Sequence, residues 1–427
     1  LLRGRAGSLL VDEPIAATRI EHVDAWKMRT LDAWAKLARH FDYAGPYHRA
    51  VLDSVRALRL LTYEPSGAVL AAATTSLPAV LGGSRNWDYR FAWLRDAGMI
   101  TSALTRAGSD GEEELRFLEL VCRSEAAPPA LVPPPLSCID GARPQLEREL
   151  PLGGYRGSRP VRLGNDAAAQ LQLDAFGNVL VAAKVLYGKL DTREHWKVVA
   201  RIADFVAESW SRPDNGVWEE RTPRQYTAGK VIAARSLEFV ADMATTPEEA
   251  RRWRAAAADI RTFVAKECVT RDGAYAAFAG SDVVDVSAAL FPVWDFCDPF
   301  SPEMNATLVA LDRDAYEGGL YRRVLLERGG HEELGFVAGS LWVAQYLIMR
   351  GELERATRII DKVLEHATDL GQLAEGAGRA PGEMLGNFPQ AFAHAAMVGV
   401  AVDLRDAITR PAAPGSRIVV TSARDVR

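Results

Sequence analysis

Residues 214–230 read DNGVWEERTPRQYTAGK, and two adjacent glutamates, Glu219 and Glu220, follow Trp218 in a stretch that Asn-Gly and Pro punctuate as loop or short strand. Consecutive side chains point in different directions in either a helix or a strand, so at most one of the two faces a reacting bond. A further acid, Glu375, lies in the glycine-rich connector GQLAEGAGRAPGEMLGNFPQAFAHAAM, residues 371–397. Two carboxylates on well-separated loops are what glycoside cleavage requires. One is protonated to assist the leaving oxygen, and the other is ionised to stabilise charge or activate water. Glutamates usually end up solvated on surfaces, so the pair gains meaning only if the fold brings it together.

A second unusual stretch is GGSRNWDYRFAWLRDAGM, residues 82–99, where Trp87, Tyr89 and Trp93 are interleaved with arginine and aspartate. Arg95 and Asp96 stand at the start of a helical pattern. An acid there complements the helix dipole. The same combination also suits a sugar, because aromatic faces stack on the ring while charged groups make directional hydrogen bonds to its hydroxyls. Other chemistries find little support. HEELGF at 331–336 begins like a zinc-protease motif, but Gly335 stands where the second histidine would be, so that ligand is absent. No GxSxG, phosphate-binding loop or dinucleotide fingerprint occurs, and no metal or cofactor is expected.

The composition agrees with a neutral small substrate. With a net charge of −5, 48% hydrophobic and 25% charged residues, the 427-residue chain carries no basic footprint for nucleic acid or anionic membranes. Cys122, Cys138, Cys268 and Cys297 are scattered without a CxxC pair, which predicts reduced thiols instead of a zinc site or disulfide framework. No apolar run reaches membrane-spanning length. A cytoplasmic location is the expectation, for a chain that opens on Leu-Leu-Arg.

These loops need a scaffold, and the hydrophobic periodicity supplies one. It predicts helices over 24–40, 46–61, 95–107, 112–123, 167–188, 193–210, 226–243, 247–268, 284–296, 301–312, 333–350, 352–368 and 387–404, with hardly a convincing strand. Blocks such as VIAARSLEFVADM and GSLWVAQYLIMRG are broadly apolar, as for helices covered on two sides. ELERATRIIDKVLEHATD carries one apolar stripe. Alternation of the two kinds suits a double ring of helices. The proline-rich connector 124–166 is long enough to imply packing over something functional.

Several long motifs, in order, carry a resemblance to glycoside hydrolase family 15, the glucoamylases, glucodextranases and bacterial trehalases. They are GAVLAAATTSLPAVLGGSRNWDYRFAWLRDAG, YRGSRPVRLGNDAAAQLQLDAFG, DNGVWEER and GEMLGNFPQAFAH. The resemblance implies an all-α (α/α)6 barrel over 23–410, with 1–22 the linker or end of a preceding β-sandwich domain and 411–427 a tail. It implies inverting, exo-acting hydrolysis of an α-glucoside or oligosaccharide with release of glucose, Glu219 being the general acid and Glu375 the general base. By the same carry-over, Tyr89, Trp93, Arg95, Asp96, Trp218, Glu220 and Arg322 bind the sugar. Bacterial relatives commonly have His-Ser-Lys where this chain has Ala228, Gly229 and Lys230, and an acid where it has Gly376. These departures bear on which sugar is cut. The alternatives are a sugar-binding homologue without hydrolysis, or an acid–base enzyme acting on a specialised secondary metabolite.

Overall fold

The computed structural model describes residues 20–39, 41, 43–125, 132–324 and 334–409. The expected linker and C-terminal tail lie almost wholly outside them. The helices run α1 (Ile20–Arg39), α2 (His48–Leu61), α3 (Leu94–Arg106), α4 (Glu112–Glu125), α5 (Leu173–Leu190), α6 (Trp196–Ser209) and α7 (Thr227–Ala241). They continue with α8 (Pro247–Glu267), α9 (Leu290–Val293), α10 (Pro302–Asp314), α11 (Val337–Met349), α12 (Leu353–Leu364) and α13 (Ala391–Thr409).

The odd-numbered helices from α3 to α13 form a closed inner ring, since each packs on the next and α13 returns to α3. Sequence explains which helices go inside. All thirteen residues of α11 are buried, as its uniformly apolar VAGSLWVAQYLIM demands. In α12, by contrast, only Ala356, Ile359, Ile360 and Val363 are buried, a single stripe at helical spacing that fits an outer position. The architecture is thus the (α/α)6 barrel, and its core is the seam between the two rings.

Two expected helices are shortened. Over 284–296 the chain makes a 3-10 turn, Val286–Ala289, followed by α9. Asp285 caps the turn by accepting from Ser287 N at 2.9 Å, and Asp295, at φ 60°, turns the chain out of helical conformation. Over 167–188 a 3-10 turn, Asp166–Ala169, precedes α5.

Short strands cluster near the N-terminal ends of inner helices. Ala92–Trp93 (β1) runs directly into α3 and pairs antiparallel with Leu136–Ser137 (β2) of the long connector. Gly376–Ala377 (β4) lies between Gly335–Phe336 (β3), which leads into α11, and Met384–Leu385 (β5). These pairings fix the loops over one mouth of the barrel.

Candidate active site

Arg95 is the centre of the site. It lies in the first turn of α3, almost fully buried, where Nη1 meets Glu219 Oε1 at 2.7 Å and donates to Val217 O at 2.8 Å, while Nε donates to Asp96 Oδ1 at 3.0 Å. Asp174, in the first turn of α5, is 3.8 Å away. Burial alone pushes the guanidinium pKa down, but Glu219, Asp96 and Asp174 outweigh it and hold Arg95 firmly charged. The carboxylates feel the reverse. Burial raises Asp96, with Arg95 opposing, and lifts Asp174 to about 6.

Glu219 sits on a tight loop closed by reciprocal backbone bonds of 2.8 Å between Asp214 and Arg224. Gly216, at φ 66°, lies where a Cβ would strike the Tyr226 ring at 2.7 Å, and this close approach requires glycine. Glu219 itself has φ 53°, a left-handed conformation costly for a side chain of its size and typical of residues held for a task. Gln170 Nε2 donates to its carbonyl at 3.1 Å. The turn points Glu220 elsewhere, as the adjacency of the two acids requires. Its backbone is clamped to Asn215, N to O at 2.8 Å and O to Nδ2 at 2.7 Å, and it lines the wider cavity.

Glu375 approaches on the segment entering β4. Tyr89 donates its hydroxyl to Oε1 at 2.8 Å, and Arg323 Nη2 stands 3.4 Å from the same oxygen. Burial and the neighbouring Glu375 carboxylate hold the Tyr89 hydroxyl well above its usual pKa, so it remains a donor. Trp218 donates its indole N–H to Asp285 at 3.0 Å, and its ring lies 5.3 Å from the Arg323 guanidinium. Trp93 meets Tyr89 edge to face at 6.0 Å.

These side chains line two adjoining spaces that share Tyr89, Trp93, Trp218, Glu219 and Arg323. The outer is a cavity of about 540 Å³ walled by Trp87, Glu147, Asn165 and Glu220 among others. The inner is a neck of about 30 Å³ that reaches Arg95, Asp96 and Glu375. The long connector is therefore a wall of the pocket, held by Arg162, which donates to Glu147 at 2.9 Å and stacks 4.2 Å over Trp87. Among the described residues, no cluster of His, Cys, Asp and Glu could hold a metal ion.

Eight of the nine expected site residues meet here, and Arg322 does not. Its side chain turns away to Glu317, at 3.7 Å, and to the Asp314 carbonyl. Its neighbour Arg323 occupies the site instead. The two arginines follow the strand Leu320–Tyr321, and alternation along an extended chain sends one to each side. Asp285 and Asp174 were not singled out by sequence. Asp285 acquires its place only through Trp218, whereas Asp174 lay within the quoted motif QLQLDAFG. Of the departures, Ala228 joins the core and Gly376 forms part of β4, while the retained Lys230 is fully buried and donates to Arg212 O at 3.2 Å.

Solved structures share the helical barrel: a wild-type glycosidase superposes with a TM-score of 0.64 at 20% identity over 88% of this chain and 98% of that one. A bacterial glucoamylase complexed with acarbose gives 0.71 at 16% identity over 90% and 60%. The Glycosyl hydrolases family 15 model matches residues 45–327, and the chain belongs to that family. It is 34% identical over 377 residues to trehalase 1 of Sulfolobus acidocaldarius, covering 86% of this chain and 65% of that protein. The trehalase of Thermoplasma volcanium is 31% identical over 393 residues, covering 89% and 62%. The chain thus spans less than two thirds of the length of these relatives.

Proposed function

We propose that the protein is an inverting hydrolase that removes glucose from the non-reducing end of an α-glucoside, with trehalose as the first substrate to test. The observation that carries this reading is the convergence of Glu219 and Glu375 on one neck, with different partners: Glu219 beside Arg95, and Glu375 beside Tyr89 and Arg323. The Tyr89 hydroxyl and the Arg323 cation both favour an ionised Glu375, as a base that activates water requires. Arg95 and Asp96 offer donors and an acceptor to sugar hydroxyls at the floor of the pocket. When those hydroxyls occupy the Arg95 N–H groups, Glu219 leaves its ion pair, takes a proton from solvent and gives it to the glycosidic oxygen as the bond from that oxygen to the anomeric carbon breaks. Water adds to the anomeric carbon from the opposite face and yields its proton to Glu375, so the configuration inverts. Trehalose comes before starch among the substrates to test because the relatives in Sulfolobus and Thermoplasma are named trehalases.

Proton NMR of freshly formed product separates the outcomes. Inverting cleavage of trehalose releases α- and β-glucose in equal initial amounts, because only the attacked ring inverts. Initial release of α-glucose alone contradicts the assignment. Glu219→Gln and Glu375→Gln are each expected to lower kcat roughly 10²- to 10⁴-fold while leaving sugar binding by calorimetry largely intact. Wild-type turnover in either variant would show that the wrong carboxylate had been chosen.

A further inference from the structure

We propose that the barrel carries a second small-molecule site at the mouth opposite the catalytic loops, suited to a ligand with an aromatic or alicyclic body and one anionic group. The catalytic pocket lies at the N-terminal ends of the inner helices. A second cavity, of about 390 Å³, opens among their C-terminal halves. It is axial, since α3, α5, α7, α9, α11 and α13 all contribute to its lining. The space exists because small residues face the axis: Ser102 and Ala103 from α3, and Ala395, Ala396 and Gly399 from α13. Larger apolar groups wall it, notably Val181, Val185, Phe239, Val293 and Trp294.

The floor is Trp342, whose buried indole N–H has no partner among the described residues. Its ring also stacks on Trp218 of the catalytic pocket, at 6.0 Å between centroids and 19° between planes. Trp342 therefore stands between the two cavities, and an occupant of the second would not compete directly with sugar in the first.

Charge selects the ligand class. The lining holds Arg106, Lys184, Lys189 and Arg405 against Asp295 and Asp406. Asp403, the partner of Arg106, and Arg235, the partner of Asp295, lie outside the lining and offset each other. The balance is positive. Arg106 and Lys189 belong to the last turns of α3 and α5, where a cation complements the helix dipole. Lys184 lines the same cavity from within α5, and its Nζ stands 4.3 Å from the centre of the Phe239 ring. A cation beside an aromatic wall, above an apolar funnel, matches an amphiphile whose ring enters first and whose anionic group stays at the lysines.

A matched pair of fluorescent probes tests this: 8-anilino-1-naphthalenesulfonate and its uncharged counterpart N-phenyl-1-naphthylamine, titrated into the full chain. The sulfonate is expected to bind with one-to-one stoichiometry, at least about tenfold more tightly than the neutral probe, and to remain bound in saturating glucose. Ser102→Trp, which fills the funnel, should abolish binding of both probes, with circular dichroism confirming the fold. Lys184→Gln, at a partly exposed position, should leave the neutral probe unaffected and remove the preference for the sulfonate, and it keeps the test decisive if Ser102→Trp does not fold. Absence of one-to-one binding, displacement by glucose, or a sulfonate preference that survives Lys184→Gln would each overturn the proposal.

Discussion

One guanidinium serves three carboxylates at this site, and that arrangement makes each partner's contribution separable. Arg95 contacts Glu219 and Asp96 directly and Asp174 at 3.8 Å, so on the proposed reading a sugar entering the neck would compete with groups already in place. Across the pocket Arg323 holds the corresponding position beside Glu375. Arg323→Gln is therefore expected to lower kcat/KM for an α-glucoside by about 10²-fold or more, in line with the loss of a charged hydrogen-bonding partner from a buried acid. Arg322→Gln, which severs peripheral contacts with Glu317 and the Asp314 carbonyl, should stay within about threefold of wild type by the same measure. Steady-state kinetics of the two variants side by side decides between them, and the opposite ranking would return the role to Arg322. Tyr89→Phe offers a gentler test, because it removes only the donor to Glu375 Oε1 and should lower kcat while barely changing protein stability.

Short elements decide where these side chains point, and here the sequence was only partly legible. Long helices announced themselves through 3.6-residue periodicity, and even their ring positions followed from stripe width in α12 and uniform apolarity in α11. The motifs around Glu219, Glu375 and Arg95 were legible as well, because aromatic residues crowded beside charge are unusual in loops. The parity of a two-residue strand was not. Leu320–Tyr321 is too short to display alternation, and one step along it exchanges Arg322 for Arg323. Asp285 was hidden for another reason, since its partner Trp218 is 67 residues away in sequence. The loop after β5 carries a constraint that can be tested. Gly386 has φ 76°, and a Cβ there would lie 2.7 Å from Glu375 Oε2, so glycine both permits the turn and leaves room for the carboxylate. Gly386→Ala is expected to cost about 1 kcal/mol of stability in chemical denaturation and to displace Glu375, with a disproportionate loss of kcat. Full activity in that variant would mean that the loop yields freely.

At the scale of the whole barrel, closure of the inner ring brings the first turns of α3 and α5 to the mouth that holds Glu219 and Glu375, where the partial positive charge of helix N-termini favours carboxylates. The fold uses this to bury acids that solvent would otherwise keep. Asp174 is 1% exposed, and neither of its oxygens has a hydrogen-bond partner among the described residues. Burial lifts its pKa to about 6, with Arg95 opposing and Glu219 and Asp96 adding to the rise. Asp214 and Lys230 show the same tendency behind the Glu219 loop, where burial pushes the acid up and the amine down, both towards neutrality. For Asp174 the sign of the linkage follows directly. The folded state binds the proton more tightly than the unfolded chain, so the stabilisation is complete below the ordinary aspartate pKa near 4 and is lost as pH rises through about 6. A shift of this size corresponds to about 3 kcal/mol, to order of magnitude. Asp174→Asn removes the titration while keeping the shape. The unfolding free energy of wild type minus that of the variant should therefore fall with pH, most steeply between pH 4 and about 6 and levelling off above it, by up to about 3 kcal/mol in urea denaturation. A difference that stays flat across that interval would mean that Asp174 is charged throughout, and that Arg95 neutralises more of the buried acid than its 3.8 Å separation implies.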